Sequence, residues 1–214
     1  MSYSMHLFLT MKTNILTQSP LGLASLSFGL LNVALEDLEN GEKAKEKEYV
    51  WYGRLTNPEE LQKAVSQETQ KQSSLKGKGG TIRVRETNGM GQVRYTLTGK
   101  AYTGRGECDE VSVPVSKDLH EVFRLITGES MDKIRYTFPI EGTDLKWEVD
   151  VFIDAQGNPK DWVKIDLEVP ETITEWPPLP ITLADTIFGG NDVYTPEQRA
   201  KLDELYATVF CNKF

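Results

Sequence analysis

The segment "GGTIRVRETNGMGQVRYTLTGKAY", Gly79 to Tyr102, is the most restrictive stretch of the chain. Read with a period of two on either side of a turn, it gathers Arg83, Arg85, Arg94 and Lys100 on one face with Thr81, Thr96 and Thr98. Ile82, Val84, Tyr95 and Leu97 fall on the other face. The glycine-rich "NGMG" suits the positive backbone angles of a hairpin connection. A sheet containing this hairpin has one cationic face, which must meet water, opposing carboxylates or a bound anion.

The same period recurs downstream. In "DKIRYTFPI", Lys133, Arg135 and Thr137 alternate with Ile134, Tyr136 and Phe138; in "LKWEVDVFID", Glu148 and Asp150 alternate with Trp147, Val149 and Val151. In "DWVKIDLEV", Lys164, Asp166 and Glu168 alternate with Val163, Ile165, Leu167 and Val169, and "DAQGN" joins the last two strands. "KEYVWYG" reads as a first strand, and "ECDEVSVPV" as a strand whose Pro114 marks an edge or bulge.

Three amphipathic helices are expected. "TNPEELQKAVSQETQ" has Asn57 placed to cap it and Pro58 in its first turn. "SKDLHEVFRLITG" carries a stripe of Leu119, Val122, Phe123 and Ile126, while "TPEQRAKLDELYATVF" carries Leu202, Leu205, Tyr206 and Val209 behind a Thr195–Gln198 capping box. "SSLKGKGG" reads as a flexible loop without the GxxxxGK[ST] spacing of a phosphate-binding loop, and "EWPPLP" as a stiff spacer.

Two architectures satisfy this pattern. One is an antiparallel sheet with its apolar face on a core and its charged face in water. The other is a closed barrel with the charged face inward and the helices covering the apolar outside. Two like charges about 5 Å apart at an effective dielectric near 20 repel by roughly 3 kcal/mol, so a barrel lined only by cations would be unstable. Glu148, Asp150, Asp166 and Glu168 supply opposing charge. Such a mixed lining suits phosphate oxygens on the cations and Mg²⁺ or Mn²⁺ on the carboxylates.

Composition bounds the function further. A chain of 214 residues can bury the core of one domain, and its net charge of −8 argues against general affinity for nucleic acid, so no DNA partner is expected. Cys108 and Cys211 form no CxxC pair, which is consistent with thiols in a reducing, cytoplasmic setting. His6 and His120 fall in no HxxxH or HxE spacing, so a histidine-ligated metal is not indicated. The apolar stretch from about Leu21 to Leu35 is broken by Ser and Gly and is shorter than the roughly 20 residues that span a bilayer. An N-terminal extension packed on the domain is expected, with no membrane partner.

The order "IRVR", "YTLTGK", an acidic strand, a helix, "KIRY", "WEVDVF" and "VKIDLEV" resembles the CYTH domains of the triphosphate tunnel metalloenzyme superfamily over roughly Glu46 to Val169. That superfamily includes thiamine triphosphatases, inorganic tripolyphosphatases and class IV adenylyl cyclases. The resemblance implies an α+β fold, a closed antiparallel β-tunnel wrapped by helices, with residues 1–40 as an extension and 41–214 as the tunnel domain.

It also implies roles. Arg83, Arg85, Arg94, Lys100, Lys133 and Arg135 would hold a triphosphate or nucleotide ligand, with Glu107 and Asp109 as a mid-fold acidic pair in which Glu110 could take a place by a small shift of register. Glu46, Glu48, Glu148, Asp150, Asp166 and Glu168 would hold Mg²⁺ or Mn²⁺, and Glu46, Glu48, Lys100 and Arg135 would carry the chemistry. The family's first strand reads ExExK, whereas "EKEYV" supplies Glu46 and Glu48 but puts Val50 in place of the lysine. Two readings follow: metal-dependent hydrolysis of tripolyphosphate, thiamine triphosphate or a nucleoside triphosphate, or retention of such a ligand without efficient turnover. A cyclase and an RNA 5′-triphosphatase are further possibilities, and the chain would act as a monomer or homodimer.

Overall fold

Met90 and Gly91 take positive φ, 51° and 75°, and reverse the chain between two long strands at "NGMG", as the sequence requires. The computed structural model describes residues 36–38, 40–77, 79–104, 107–127, 130–169, 175–188 and 195–209, with Glu46 and 206–209 described by their backbone alone. The strands are β1 (Ala44–Leu55), β2 (Ser66–Gly77), β3 (Gly80–Gly89), β4 (Gln92–Gly104), β5 (Glu107–Pro114), β6 (Met131–Pro139), β7 (Lys146–Ile153), β8 (Pro159–Glu168) and β9 (Leu183–Phe188). Among the described residues the helices with both ends in view are α1 (Lys117–Thr127) and α2 (Pro196–Val209), and residues 36–38 and 40 are also helical.

The strands form a nine-stranded sheet in the order β5-β4-β3-β2-β6-β7-β8-β1-β9. Pairing of β5 with β1 closes eight of them into a ring, antiparallel at every join. This is the closed, helix-covered barrel that the CYTH resemblance implies. β9 lies outside the ring along the second half of β1, where Gly53 permits its approach: a Cβ there would stand 2.9 Å from Leu183 Cδ1.

The apolar faces point outward and are covered. Ile82, Val84, Leu97 and Val111 are buried beneath Leu119 and Phe123 of α1, together with Leu38 from the segment before β1. Ser116 Oγ accepts from Leu119 N at 3.2 Å and caps α1. On the opposite wall Tyr49, Trp51, Trp147, Val149, Val163, Ile165 and Leu167 form a second core with Phe138, Leu61 and Ile181. Full burial of such side chains is worth about 1.5–3 kcal/mol each, so outward packing holds the barrel together.

Three expectations change. The helix anticipated after Asn57 is a single 3-10 segment, Pro58–Lys63, with Asn57 Oδ1 capping Glu59 N at 3.2 Å. The residues after it, together with part of the expected "SSLKGKGG" loop, form β2. β2 is polar on both faces, which hid it, yet it pairs with β3 on one side and β6 on the other. "EWPPLP" is also more than a spacer, since Trp176 sets its ring edge-on to Tyr49 at 4.3 Å and packs against Trp51 at 5.6 Å.

α2 opens with the reciprocal Thr195–Gln198 capping box, at 2.9 and 3.2 Å. Its Leu202 and Leu205 pack with Tyr52, Phe152 and Ile187, against Val50, Met131 and Trp162. Tyr52 stands directly opposite Lys164, and Phe152 directly opposite Lys133. The inner face therefore turns apolar at one end, and α2 packs there rather than over the outer wall. The first 35 residues lie outside the described part, so the expected extension is described only from residue 36. Among the described residues no helix is long and apolar enough to cross a membrane.

Candidate functional site: a charged inner face

Strand pairing decides which side chains share the interior. Arg83 opposes Thr98, Arg85 opposes Thr96 and Lys100 opposes Glu110, so these groups occupy one face of β3, β4 and β5. Lys100 Nζ lies 2.8 Å from Glu110 Oε2, and Ser112 donates to the other Glu110 oxygen at 3.1 Å. Glu110, not Glu107 or Asp109, is thus the inward acid of β5. Glu107 and Asp109 share the parity of Val111, which is packed in the outer core, and Glu107 pairs with Lys47 at 3.0 Å. The alternation in "ECDEVSV" is the same in either register, and only the Lys100–Glu110 pairing reveals which parity faces inward.

β6, β7 and β8 contribute a denser array. Asp150 is fully buried and accepts from Arg135 Nε at 2.7 Å and Arg135 Nη2 at 2.8 Å, and it is also paired with Lys133. Arg135 is further bound to Glu148 and reaches Asp166 Oδ2 at 3.5 Å; Lys146 holds the other Glu148 oxygen at 2.7 Å. Burial raises the Asp150 carboxyl, but Lys133 and Arg135 outweigh it and hold the group well below the usual range. Burial, with Arg135, Arg85 and Lys164 nearby, pushes Lys133 down to about 7 against the pull of Asp150.

Lys164 is an inner-face residue to which the sequence assigned no role. Its Nζ lies 2.6 Å from Asp166 Oδ1 and 3.1 Å from Glu48 Oε1. Burial lowers the Lys164 pKa, but Asp166 and Glu48 more than reverse it, so the ammonium keeps its proton. Burial and the neighbouring Glu48 charge raise Asp166 to about 8, while Lys164 and Lys100 pull Glu48 down to about 2 against its own burial. Two carboxyl groups are therefore crowded together, Glu48 ionised and Asp166 holding its proton, and one more positive charge beside them would favour ionisation of Asp166.

The remaining anticipated residues are less central. Glu168 is exposed and lies opposite Glu48 in the β1–β8 pairing, at the rim. Arg94 follows the inward parity of β4 but is exposed and bound to Glu68 at 2.8 Å. The backbone of Glu46 pairs opposite Cys108.

The inner face has two chemical halves. The Nε atoms of Arg83 and Arg85 are buried without a hydrogen-bond partner, and Arg85 has one long contact to Gln72 Oε1 at 3.4 Å. Burial and the charges of Arg83 and Arg135 lower the Arg85 pKa to about 9. An anion placed here would satisfy idle donors and relieve repulsion between cations. Opposite them, Glu48 and Asp166 fit a divalent cation, because Mg²⁺ and Mn²⁺ are commonly held by one or two carboxylates, with water and phosphate oxygens completing the shell. All four acids are engaged by cations, Glu48 and Asp166 by Lys164 and Glu148 and Asp150 by Arg135 and Lys133, so an ion at Glu48 and Asp166 would displace the Lys164 ammonium.

No family model matches the chain, and no curated protein matches it. Among solved structures it is similar to the inorganic triphosphatase NE1496, with 16% identity and a TM-score of 0.41 over 69% of this chain and 91% of that one. It is also similar to the PH1819 protein from Pyrococcus horikoshii OT3, with 16% identity and a TM-score of 0.42 over 78% and 94% of the two chains. A conserved hypothetical protein from Pyrococcus furiosus shows 17% identity and a TM-score of 0.42 over 76% and 90%. Inorganic triphosphatase activity is a property of NE1496.

Proposed function

We propose that the barrel binds the phosphate chain of a triphosphate-bearing small molecule on its inner face and hydrolyses it with Mg²⁺ or Mn²⁺. The observation that carries this reading is the pair of buried, unpartnered arginine Nε atoms on β3, facing a crowded Glu48–Asp166 carboxyl pair within one closed sheet. Inorganic tripolyphosphate, thiamine triphosphate and nucleoside triphosphates share the chemistry that such an interior recognises.

The residues divide the work. Arg83, Arg85 and Lys100 would hold phosphate oxygens from one wall, and Arg135, kept in place by Asp150 and Glu148, from the other. Glu48 and Asp166 would hold the cation, with Glu46 and the rim residue Glu168 as further oxygen donors. When bound, that ion neutralises charge developing on the phosphoryl group and lowers the pKa of a water ligand. Lys164 stands beside Glu48 and Asp166, and would supply from β8 the ammonium that "EKEYV" lacks on β1. The half-buried position of the arginines limits water around the phosphates and strengthens each of these interactions.

A second reading, retention without efficient turnover, is favoured by Val50, which packs in the apolar end of the inner face beside α2. Calorimetry combined with phosphate-release assays on the three ligand classes, with Mg²⁺ and with Mn²⁺, separates the two. Binding with release supports hydrolysis; binding without release supports retention; absence of binding overturns both.

A further inference from the structure

We propose that Glu86, His120 and Glu121 form a second cation site, on the outer wall of the barrel, which takes a divalent transition ion of the zinc type and ties α1 to β3. One ligand atom from each of these side chains lies within 4.8 Å of the other two. Glu86 comes from the outward parity of β3, and the other two from the first turns of α1.

The histidine carries the inference. His120 is 0% exposed, and beside its ring the Lys71 backbone can take a hydrogen bond from only one of the two nitrogens, so at least one ring nitrogen is buried without a partner. Buried imidazoles are ordinarily satisfied, and an unsatisfied one costs free energy that a ligand can recover. Its Nδ1 faces Glu121 Oε1 at 3.9 Å, too far for a hydrogen bond. Bonds of about 2.0–2.2 Å to a tetrahedral zinc ion hold neighbouring ligand atoms roughly 3.5 Å apart, so the side chains need only draw in slightly.

The surroundings fit a nitrogen-and-oxygen donor set for such an ion. A ring N–H held by the Lys71 backbone would fix the imidazole and leave its other nitrogen to ligate. Tyr95 sets its ring 5.2 Å from that of His120 and hydrogen-bonds Glu86, which would orient the carboxylate. Lys71 Nζ lies 3.7 Å from Glu86 and is 46% exposed, so it can swing into solvent when an ion arrives. Glu121 is 56% exposed and offers the entry path. An imidazole with two carboxylates favours zinc over Mg²⁺, which prefers oxygen alone.

The test uses the full chain, whose two histidines are His6 and His120. Ring ¹⁵N resonances are followed during Zn²⁺ titration with excess Mg²⁺ present to occupy oxygen-donor sites, and His120→Gln assigns the signal. The expected result is a shift of the His120 nitrogens that saturates at one Zn²⁺ per chain, with Glu121→Gln and Glu86→Gln each weakening that event by at least about tenfold. Because Glu121 is solvent-exposed, its variant reports on the site without disturbing the core. An unmoved His120 signal at saturating Zn²⁺, or both variants binding as tightly as the unmodified chain, overturns the proposal.

Discussion

Lys164 Nζ lies 3.1 Å from Glu48 Oε1, an ion pair that joins β8 to β1 across 116 residues of sequence. Val50 is the next inward residue along β1 after Glu48, and it sits directly opposite Asp166. An ammonium at either position 164 or position 50 would therefore reach the same carboxyl groups. Lys164→Val is expected to weaken tripolyphosphate binding at least about tenfold, the scale of a single charge-assisted hydrogen bond. The exchange Val50→Lys with Lys164→Val should recover most of that affinity in the same calorimetric titration. Binding unaffected by Lys164→Val would remove this lysine from the site.

Asp150 anchors both Arg135 and Lys133 and is fully buried. Asp150→Asn leaves two buried cations short of a partner, which ordinarily costs about 3–5 kcal/mol. For a domain of this size the corresponding fall in Tm is on the order of 10 °C, measurable by calorimetry. A fall of less than about 2 °C would show that Glu148 and Asp166 take over the pairing.

Arg85 and Arg94 share an inward parity but not an environment. Arg85 has a buried, idle Nε, whereas Arg94 is exposed and paired with Glu68. Arg85→Ala should weaken triphosphate binding by about 100-fold, within the range for a charge-assisted hydrogen bond. Arg94→Ala should change both affinity and stability by less than about 0.5 kcal/mol, as for most exposed ion pairs. Equal losses in the two variants would place the ligand at the rim.

Asp166 gives the pH dependence a definite sign. Its folded pKa, raised to about 8 by burial and Glu48, exceeds the unfolded value of 3.8, so the native state holds this proton more tightly. The contribution is fully present below the unfolded value and is lost as pH rises through about 8. In chelator, the stability of the unmodified chain relative to Asp166→Asn should therefore fall between pH 5 and 8, at about 1 kcal/mol per pH unit. Urea titrations of the two proteins at several pH values measure it, and a flat difference over that window contradicts the assignment.

Much of the barrel could be read from the chain because β3, β4, β6, β7 and β8 each put apolar residues on one parity and charge on the other. β2 escaped because Gln70, Gln72 and Ser73 are buried without being apolar, so burial there leaves no hydrophobic signal. The partition of the acids also escaped. Whether Glu110 or Asp109 faces inward, and whether Asp166 meets Lys164 and Glu48, depends on registers set between distant strands. The Glu86–His120–Glu121 group escaped for the same reason: its spacing matches no local motif, and α1 must dock on β3 before the three side chains meet.

The ring is closed by a short clasp. β1 and β5 pair only from Ala44↔Glu110 to Lys47↔Glu107, after which β9 takes over the edge of β1. A polyanion gripped at once by β3–β4 and by β6–β8 would fasten the two walls and oppose any parting there. Amide protons along this seam should exchange with deuterium more slowly once tripolyphosphate is added, making the weakest join of the barrel a reporter of what it encloses.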